Sequence, residues 1–256
     1  MPIDNHIPSR FCASPLSGED PITRYLRRTG YQRFEPLAAL IDMDGTLYDS
    51  MPHHADAWKA MADSAGIPAE RDEFFMYEGR TGASTINILF QRTYGRDATP
   101  EEAKELYGVK SRNFQAMPPV DPMPGADQLL REFMEHHMRL VLVTGSGQSS
   151  LISRLDHDYP GAFAPDMRIT AANTTQGKPH PDPYLRAMAL AGVEPWQSVV
   201  LENAPLGVES GFRSGAFTVA VATGPIPIEA LWAAGADIVY NSMEQCANSL
   251  PKLLFR

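Results

Sequence analysis

The stretch Leu37-Ala38-Ala39-Leu40-Ile41-Asp42-Met43-Asp44-Gly45-Thr46-Leu47-Tyr48-Asp49-Ser50 runs from apolar residues straight into two carboxylates, a glycine and a hydroxyl. An apolar run of this kind reads as a parallel strand buried on both faces. Gly45 lets the chain turn sharply out of it. In open α/β sheets ligands gather beyond the carboxyl ends of the strands, so Asp42 and Asp44 are expected at the rim of a pocket. Two close carboxylates in that position point to a hard metal ion. Thr46 can offer its hydroxyl to an anion.

Downstream of Gly125 the pattern alternates. Helices are expected over 125–136, 148–155, 181–191, 205–214 and 228–234, with a last one closing the chain, and strands over 139–143, 167–170, 198–202, 217–221 and 237–240. Such alternation implies a parallel sheet covered on both faces, a doubly wound α/β core. Between the first strand and this series lies a stretch that reads as helical throughout, with segments over 51–65, 71–77, 84–93 and 100–115. Thr99 before Pro100-Glu101-Glu102 is a good N-cap with acids in the first turn. The connector from Met117 to Gly125 carries four prolines in nine residues and reads as the return strand of a hinge, paired with Ser50-Met51-Pro52 on the way out. The division that follows is an N-terminal extension over 1–35, a core over 36–50 and 123–256, and an inserted all-helical cap over 51–122. Within the extension, Arg24, Arg27 and Arg28 could form a basic patch, with a short solvated helix over 21–29 as the leading expectation.

The 256 residues are 43% hydrophobic and 21% charged, enough for a full core. A net charge of -9 argues against a nucleic-acid partner. Cys12 and Cys246 are far apart and show no metal spacing, so a reducing, cytoplasmic setting is expected. No apolar stretch reaches the length of a membrane span, and no secretory leader is read at the N-terminus. Nothing in the sequence demands an oligomer, and a monomer is expected.

Three more strand ends carry polar groups suited to a phosphoryl site. Thr144-Gly145-Ser146 follows an apolar strand and opens a helix, where free N–H groups favour an anion. Lys178 lies in the proline-stiffened loop Gly177-Lys178-Pro179-His180-Pro181, placed to neutralise a carboxylate and an incoming phosphoryl group. His180 reads as a loop-packing residue. Glu202 and Asn203 end another buried strand as hard oxygen ligands; with the Asp42 carboxylate and the Asp44 carbonyl they could hold octahedral magnesium.

In order and at these strand ends, Asp42-Met43-Asp44-Gly45-Thr46, Thr144, Lys178 and Glu202-Asn203 resemble the four motifs of the haloacid dehalogenase superfamily. The insertion after the first strand resembles that of its β-phosphoglucomutase-like branch. The resemblance implies that Asp42 attacks phosphorus to form an aspartyl-phosphate, that Asp44 serves as acid and then base, that Thr144 and Lys178 hold the transferred phosphoryl, and that Mg2+ is the cofactor. A small phosphorylated molecule is the implied partner.

The choice of phosphate is read from the cap. Sugar mutases of the branch are similar in the glycine turn Tyr77-Glu78-Gly79-Arg80-Thr81-Gly82, but carry lysine where Glu78 stands and arginine where Gly82 stands. Asp49 and His54 match their hinge-side polar pair. Glu78-Gly79-Arg80-Thr81-Gly82 closely resembles the inorganic pyrophosphatase of the branch, which would make Glu78 a further metal ligand. Arg80 would then pair with the leaving phosphate, or else with a local acid. Inorganic pyrophosphatase is the leading expectation; a sugar-phosphate phosphatase or β-phosphoglucomutase is the alternative.

Overall fold

The computed structural model describes residues 18–146 and 149–256. Its strands are β1 (Ala38–Ile41), β2 (Arg139–Val143), β3 (Arg168–Ile169), β4 (Ser198–Glu202), β5 (Phe217–Val221) and β6 (Ile238–Tyr240). They form one parallel sheet in the order β3-β2-β1-β4-β5-β6. From central β1 the chain winds outward to β3, then returns to the other side of β1 and winds outward to β6. The strand order therefore reverses between β1 and β4, where such sheets open a crevice.

Strand periodicity sorts the core onto two faces. Ala39, Ile41, Leu140, Leu142, Val199 and Leu201 join one cluster with α6 (Ala126–Glu135) and α12 (Met243–Leu254). Ala38, Leu40, Val141, Val143 and Val200 face the opposite way, onto α9 (Asp182–Ala191). Beside α9, α10 (Pro205–Ser214) packs on β4 and β5. The doubly wound α/β core is as expected from the sequence.

Residues 51–115 contain α2 (Met51–Ser64), α3 (Glu73–Met76), α4 (Gly82–Tyr94) and α5 (Pro100–Gln115). These helices share a second cluster, which also takes in Ala204 and Ile226 and in which Trp58 stacks on Phe74 with ring centroids 5.8 Å apart. The Thr99 cap is a full capping box: its hydroxyl accepts from Glu102 N at 3.2 Å and its N–H donates to Glu102 Oε2 at 2.7 Å. The two chain crossings are paired, but one turn earlier than expected. Met123 N donates to Leu47 O at 2.8 Å and Asp49 N to Asp121 O at 3.0 Å, around an antiparallel bridge from Tyr48 to Pro122. Met51 and Pro52 are already helical, so their backbone is committed to α2.

Two other expectations change. The helix expected over 148–155 is split into α7 (Ser149–Ile152) and α8 (Leu155–Asp158), because Arg154 N bonds Leu151 O three residues back and tightens the turn between them. Residues 147 and 148 lie outside the described residues. The helix expected over 21–29 is α1 (Pro21–Thr29), but it is docked rather than solvated. Tyr25 is fully buried and its hydroxyl donates to Gly215 O at 2.9 Å. Arg28 forks onto buried Asp237 with contacts of 2.7 and 2.6 Å. Cys12 lies outside the described residues. The remaining helix, α11 (Ile228–Ala233), precedes β6. Among the described residues no helix is long and apolar enough to cross a membrane.

Candidate active site

Asp42 follows β1 directly and its N–H is held by Leu201 O at 3.0 Å, which fixes it beside the end of β4. Lys178 reaches in from its loop. Its ammonium donates to Asp42 Oδ1 at 2.5 Å and Val143 O at 3.0 Å, and lies 2.6 Å from Glu202 Oε1. Burial works against the charge on Lys178, but Asp42 and Glu202 overcome it and raise the pKa. Asp42 is pushed up to about 8, by burial first and by the Glu202 charge second, with Lys178 pulling the other way. Tyr184 of α9 also donates to Glu202 Oε1, at 2.6 Å.

Asp44 has a separate set of partners. Its Oδ1 accepts from Ser50 Oγ at 2.8 Å and contacts His54 Nε2 at 2.9 Å. The other ring nitrogen, Nδ1, lies 2.5 Å from Lys110 Nζ of α5. The arrangement that satisfies both contacts is Lys110 donating to Nδ1 and His54 donating from Nε2 to Asp44. His54 stacks on Phe114 with centroids 4.4 Å apart, and the Lys110 ammonium sits 5.1 Å from that ring and 5.5 Å from Trp58. Burial brings Lys110 down to about 7, opposed by Asp44. Burial and the Lys110 charge also lower His54. Burial alone would raise Asp44, yet the charge and hydrogen bonds of His54 and Ser50 hold it below its ordinary value.

Glu78 and Asn203 meet from opposite sides of the crevice, Asn203 Nδ2 donating to Glu78 Oε1 at 2.7 Å. Burial first, and then the neighbouring carboxylates, raise the Glu78 pKa well above normal; the Asn203 bond opposes them. Gly45 makes this meeting possible: its φ is +79°, and a Cβ there would fall 1.9 Å from Asn203 Nδ2. Thr144 Oγ1 accepts from Ser146 N at 2.9 Å, and the next residue, Gly145, lies under the insert, where an added Cβ would be 2.5 Å from Gly79 O.

Asp42, Asp44, His54, Glu78, Arg80, Thr144, Gly145, Ser146 and Glu202 all line one cavity, beneath Trp58, Phe74, Tyr77 and Tyr107 of the insert. Lys178 and Asn203 stand just behind that lining, through Asp42 and Glu78. Two residues expected to bind substrate are elsewhere. Thr46 is buried and its hydroxyl reaches Asn203 Oδ1 at 3.5 Å, while Asp49 is exposed on the hinge. The His180 ring stays within its loop, Nδ1 accepting from Asp182 N at 3.1 Å.

Ser50, Lys110 and Tyr184 belong to the site although none of them stands in a recognisable motif. Lys110 leaves a readable trace: Ala103, Tyr107, Lys110 and Phe114 fall on one helical face, so a lysine occupies the apolar stripe of α5.

The site suits a divalent cation by its donor chemistry. Asp42, Asp44, Glu78, Glu202 and Asn203 are hard oxygen donors, and the elevated pKa of Asp42 reports crowding of negative charge that a cation would relieve. Among the described residues no three acidic, imidazole or thiol groups already converge as a metal cage.

Residues 37–215 match the family model of haloacid dehalogenase-like hydrolases. The chain belongs to this hydrolase family. Hexitol phosphatase A of Escherichia coli is 31% identical over 206 residues, covering 80% of this hydrolase and 91% of that protein. The β-phosphoglucomutase of Bacillus subtilis is 29% identical over 210 residues, covering 79% and 88%. Among solved structures, a Bacteroides vulgatus protein provisionally described as a β-phosphoglucomutase is 42% identical, with a TM-score of 0.88 over 91% of this hydrolase and 95% of that chain. The names of these relatives are those of sugar-phosphate enzymes. The pyrophosphatase likeness drawn from Glu78-Gly79-Arg80-Thr81-Gly82 gains no support from them.

Proposed function

We propose that this hydrolase is a magnesium-dependent phosphatase of small phosphorylated carbohydrates, with Asp42 as nucleophile and Asp44 as the acid and base. The carrying observation is the cavity itself, lined both by Asp42, Asp44 and Thr144 and by the aromatic side chains Trp58, Phe74, Tyr77 and Tyr107 of the insert. Aromatic faces suit the apolar face of a sugar ring, and the names of the relatives point the same way.

Asp42 attacks phosphorus, the bond to the leaving oxygen breaks, and an aspartyl-phosphate forms. Asp44 gives that oxygen a proton, then takes one from the water that releases phosphate. The proton is supplied along the observed contacts: Lys110 passes one to His54 Nδ1 while His54 Nε2–H passes one to Asp44, leaving amine, neutral imidazole and carboxylic acid. Lys178 and Thr144 hold the transferred group. Magnesium, held by Asp42, the Asp44 carbonyl, Glu202 and Asn203, would supply the positive charge that lets a carboxylate approach an anionic phosphate. Residues 51–122 act as a cap over the core at 36–50 and 123–256, closing to exclude water.

A second reading, inorganic pyrophosphatase, is favoured by Glu78. An acid where the insert meets Asn203 could join the metal ligands and clamp the cap over a very small substrate. The deciding experiment is kcat/KM with magnesium for hexitol phosphates, hexose phosphates and pyrophosphate on one preparation. A sugar phosphate ahead by about tenfold, roughly 1.4 kcal/mol in transition-state terms, supports the first reading. Pyrophosphate ahead by that margin, with the advantage lost in Glu78→Gln, replaces it with the second.

A further inference from the structure

Both oxygens of Glu202 are engaged by the protein. Oε1 accepts from the Tyr184 hydroxyl at 2.6 Å and lies 2.6 Å from the Lys178 ammonium, while Oε2 accepts from Asn203 N at 3.2 Å. A carboxylate offers about four lone-pair sites, two on each oxygen. Oε1 is therefore filled, and among the described residues the site left open is on Oε2.

The fold holds this arrangement rigidly. Tyr184 lies in the first turn of α9, which follows the Lys178 loop directly, so one segment delivers both donors to one oxygen. Its side chain is fully buried in a cluster with Ala38, Leu40, Val141 and Val200, which leaves it no room to swing away. On α10, Gly207 brings bare backbone against the carboxylate, and a Cβ there would fall 2.0 Å from Oε1 and 2.2 Å from Oε2. Turning the head group to exchange its oxygens would break all three polar contacts. Tyr184 does not line the cavity, so its hydroxyl acts on the chemistry only through Glu202.

We propose that Tyr184 is a positioning residue that restricts Glu202 to coordination through one oxygen, and thereby makes the metal site select magnesium over calcium. This rests on the magnesium-dependent reading and adds a selectivity device to it. Magnesium demands near-ideal octahedral geometry and is served by a single carboxylate oxygen, whereas calcium takes more ligands and readily uses both oxygens of one carboxylate. Removing the phenol hydroxyl frees a lone pair on Oε1 while Lys178 stays in place. Coordination through both oxygens then becomes open to the larger ion. Hydrogen bonds to a ligating carboxylate tune metal affinity in this way.

The test is the Kd of Mg2+ and of Ca2+, each titrated alone by calorimetry into the full chain, for wild type and Tyr184→Phe. The ratio of the calcium Kd to the magnesium Kd should be about tenfold or more in wild type and fall about tenfold in Tyr184→Phe, chiefly through tighter calcium binding. Tyr184→Phe keeps the ring, and its melting temperature in chelator reports whether it folds; Tyr184→Met, which also lacks the hydroxyl, replaces it if it does not. A general loosening of the site would weaken both ions together, so an unchanged ratio overturns the inference. A wild type that takes calcium as tightly as magnesium overturns it too, without any variant. Either result leaves the phosphatase reading standing, whereas a wild type that binds no magnesium would overturn the magnesium-dependent reading and this inference with it.

Discussion

Lys110 Nζ lies 2.5 Å from His54 Nδ1, and through that ring the ammonium of α5 is connected to the Asp44 carboxylate. A helix of the insert is thereby joined to a core residue that follows β1. Under the proposed mechanism, the proton supplied to Asp44 crosses from the insert to the core through that one imidazole.

Replacing Lys110 with Met should remove a limb from the pH profile. Burial holds this lysine at about 7, so in wild type the charge supporting the chain to Asp44 is lost as pH rises through that value. The wild-type kcat should descend there; Lys110→Met should lack that limb and have kcat lower by about tenfold or more. Stability has the opposite slope. Between about 7 and the ordinary 10.5 the unfolded chain binds the extra proton, so wild-type stability rises with pH, and urea titrations of Lys110→Met should show that rise flattened.

Lys178→Met should cost both fold and function. It leaves Asp42 and Glu202 buried side by side without their cation. Breaking a buried pair from one side typically costs about 3–5 kcal/mol, which a urea midpoint would register. Turnover should fall by more than about a hundredfold, because the transferred phosphoryl also loses its cation.

Gly145→Ala should separate closure from folding. The new Cβ would stand 2.5 Å from the carbonyl of Gly79, a backbone atom that moves only if the insert lifts. We expect kcat/KM to fall by about tenfold through misplacement of the two halves of the site, with little change in melting temperature. A large drop in melting temperature would mean that the contact supports the fold itself.

Magnesium should stabilise the protein and release a proton. Burial and the Glu202 charge raise Asp42 in the absence of metal, so binding near neutral pH should release a proton, which calorimetry in buffers of different ionisation enthalpy detects. At a hundred times Kd the gain should be about 2.7 kcal/mol. Glu202→Gln should sharply weaken both effects.

β1, β2 and β4 were legible because each is an apolar run ending in a polar residue, respectively Asp42, Thr144 and Glu202. The cavity membership of Glu78 and Arg80 could be anticipated from a glycine turn at the mouth of the insert. Lys110 was not, since its role arises only when α5 packs on α2 and brings it to His54. Asp49 was expected beside His54 because the two match a hinge-side polar pair of related mutases, but in the structure His54 is buried against Asp44 while Asp49 is exposed on the hinge. The docked face of α1 depends on Asp237, two hundred residues away, and local pattern has no access to that partner.

That distant partnership sets a boundary. The family match spans residues 37–215, and both Arg28 and Asp237 fall outside it. Asp237 is 2% exposed, so a chain trimmed at residue 36 would keep an interior anion stripped of its counter-ion, a loss of about 3–5 kcal/mol against the usual total of about 5–15 kcal/mol. The stretch that carries the family likeness and the stretch that this ion pair ties into one stable body thus have different ends in this protein.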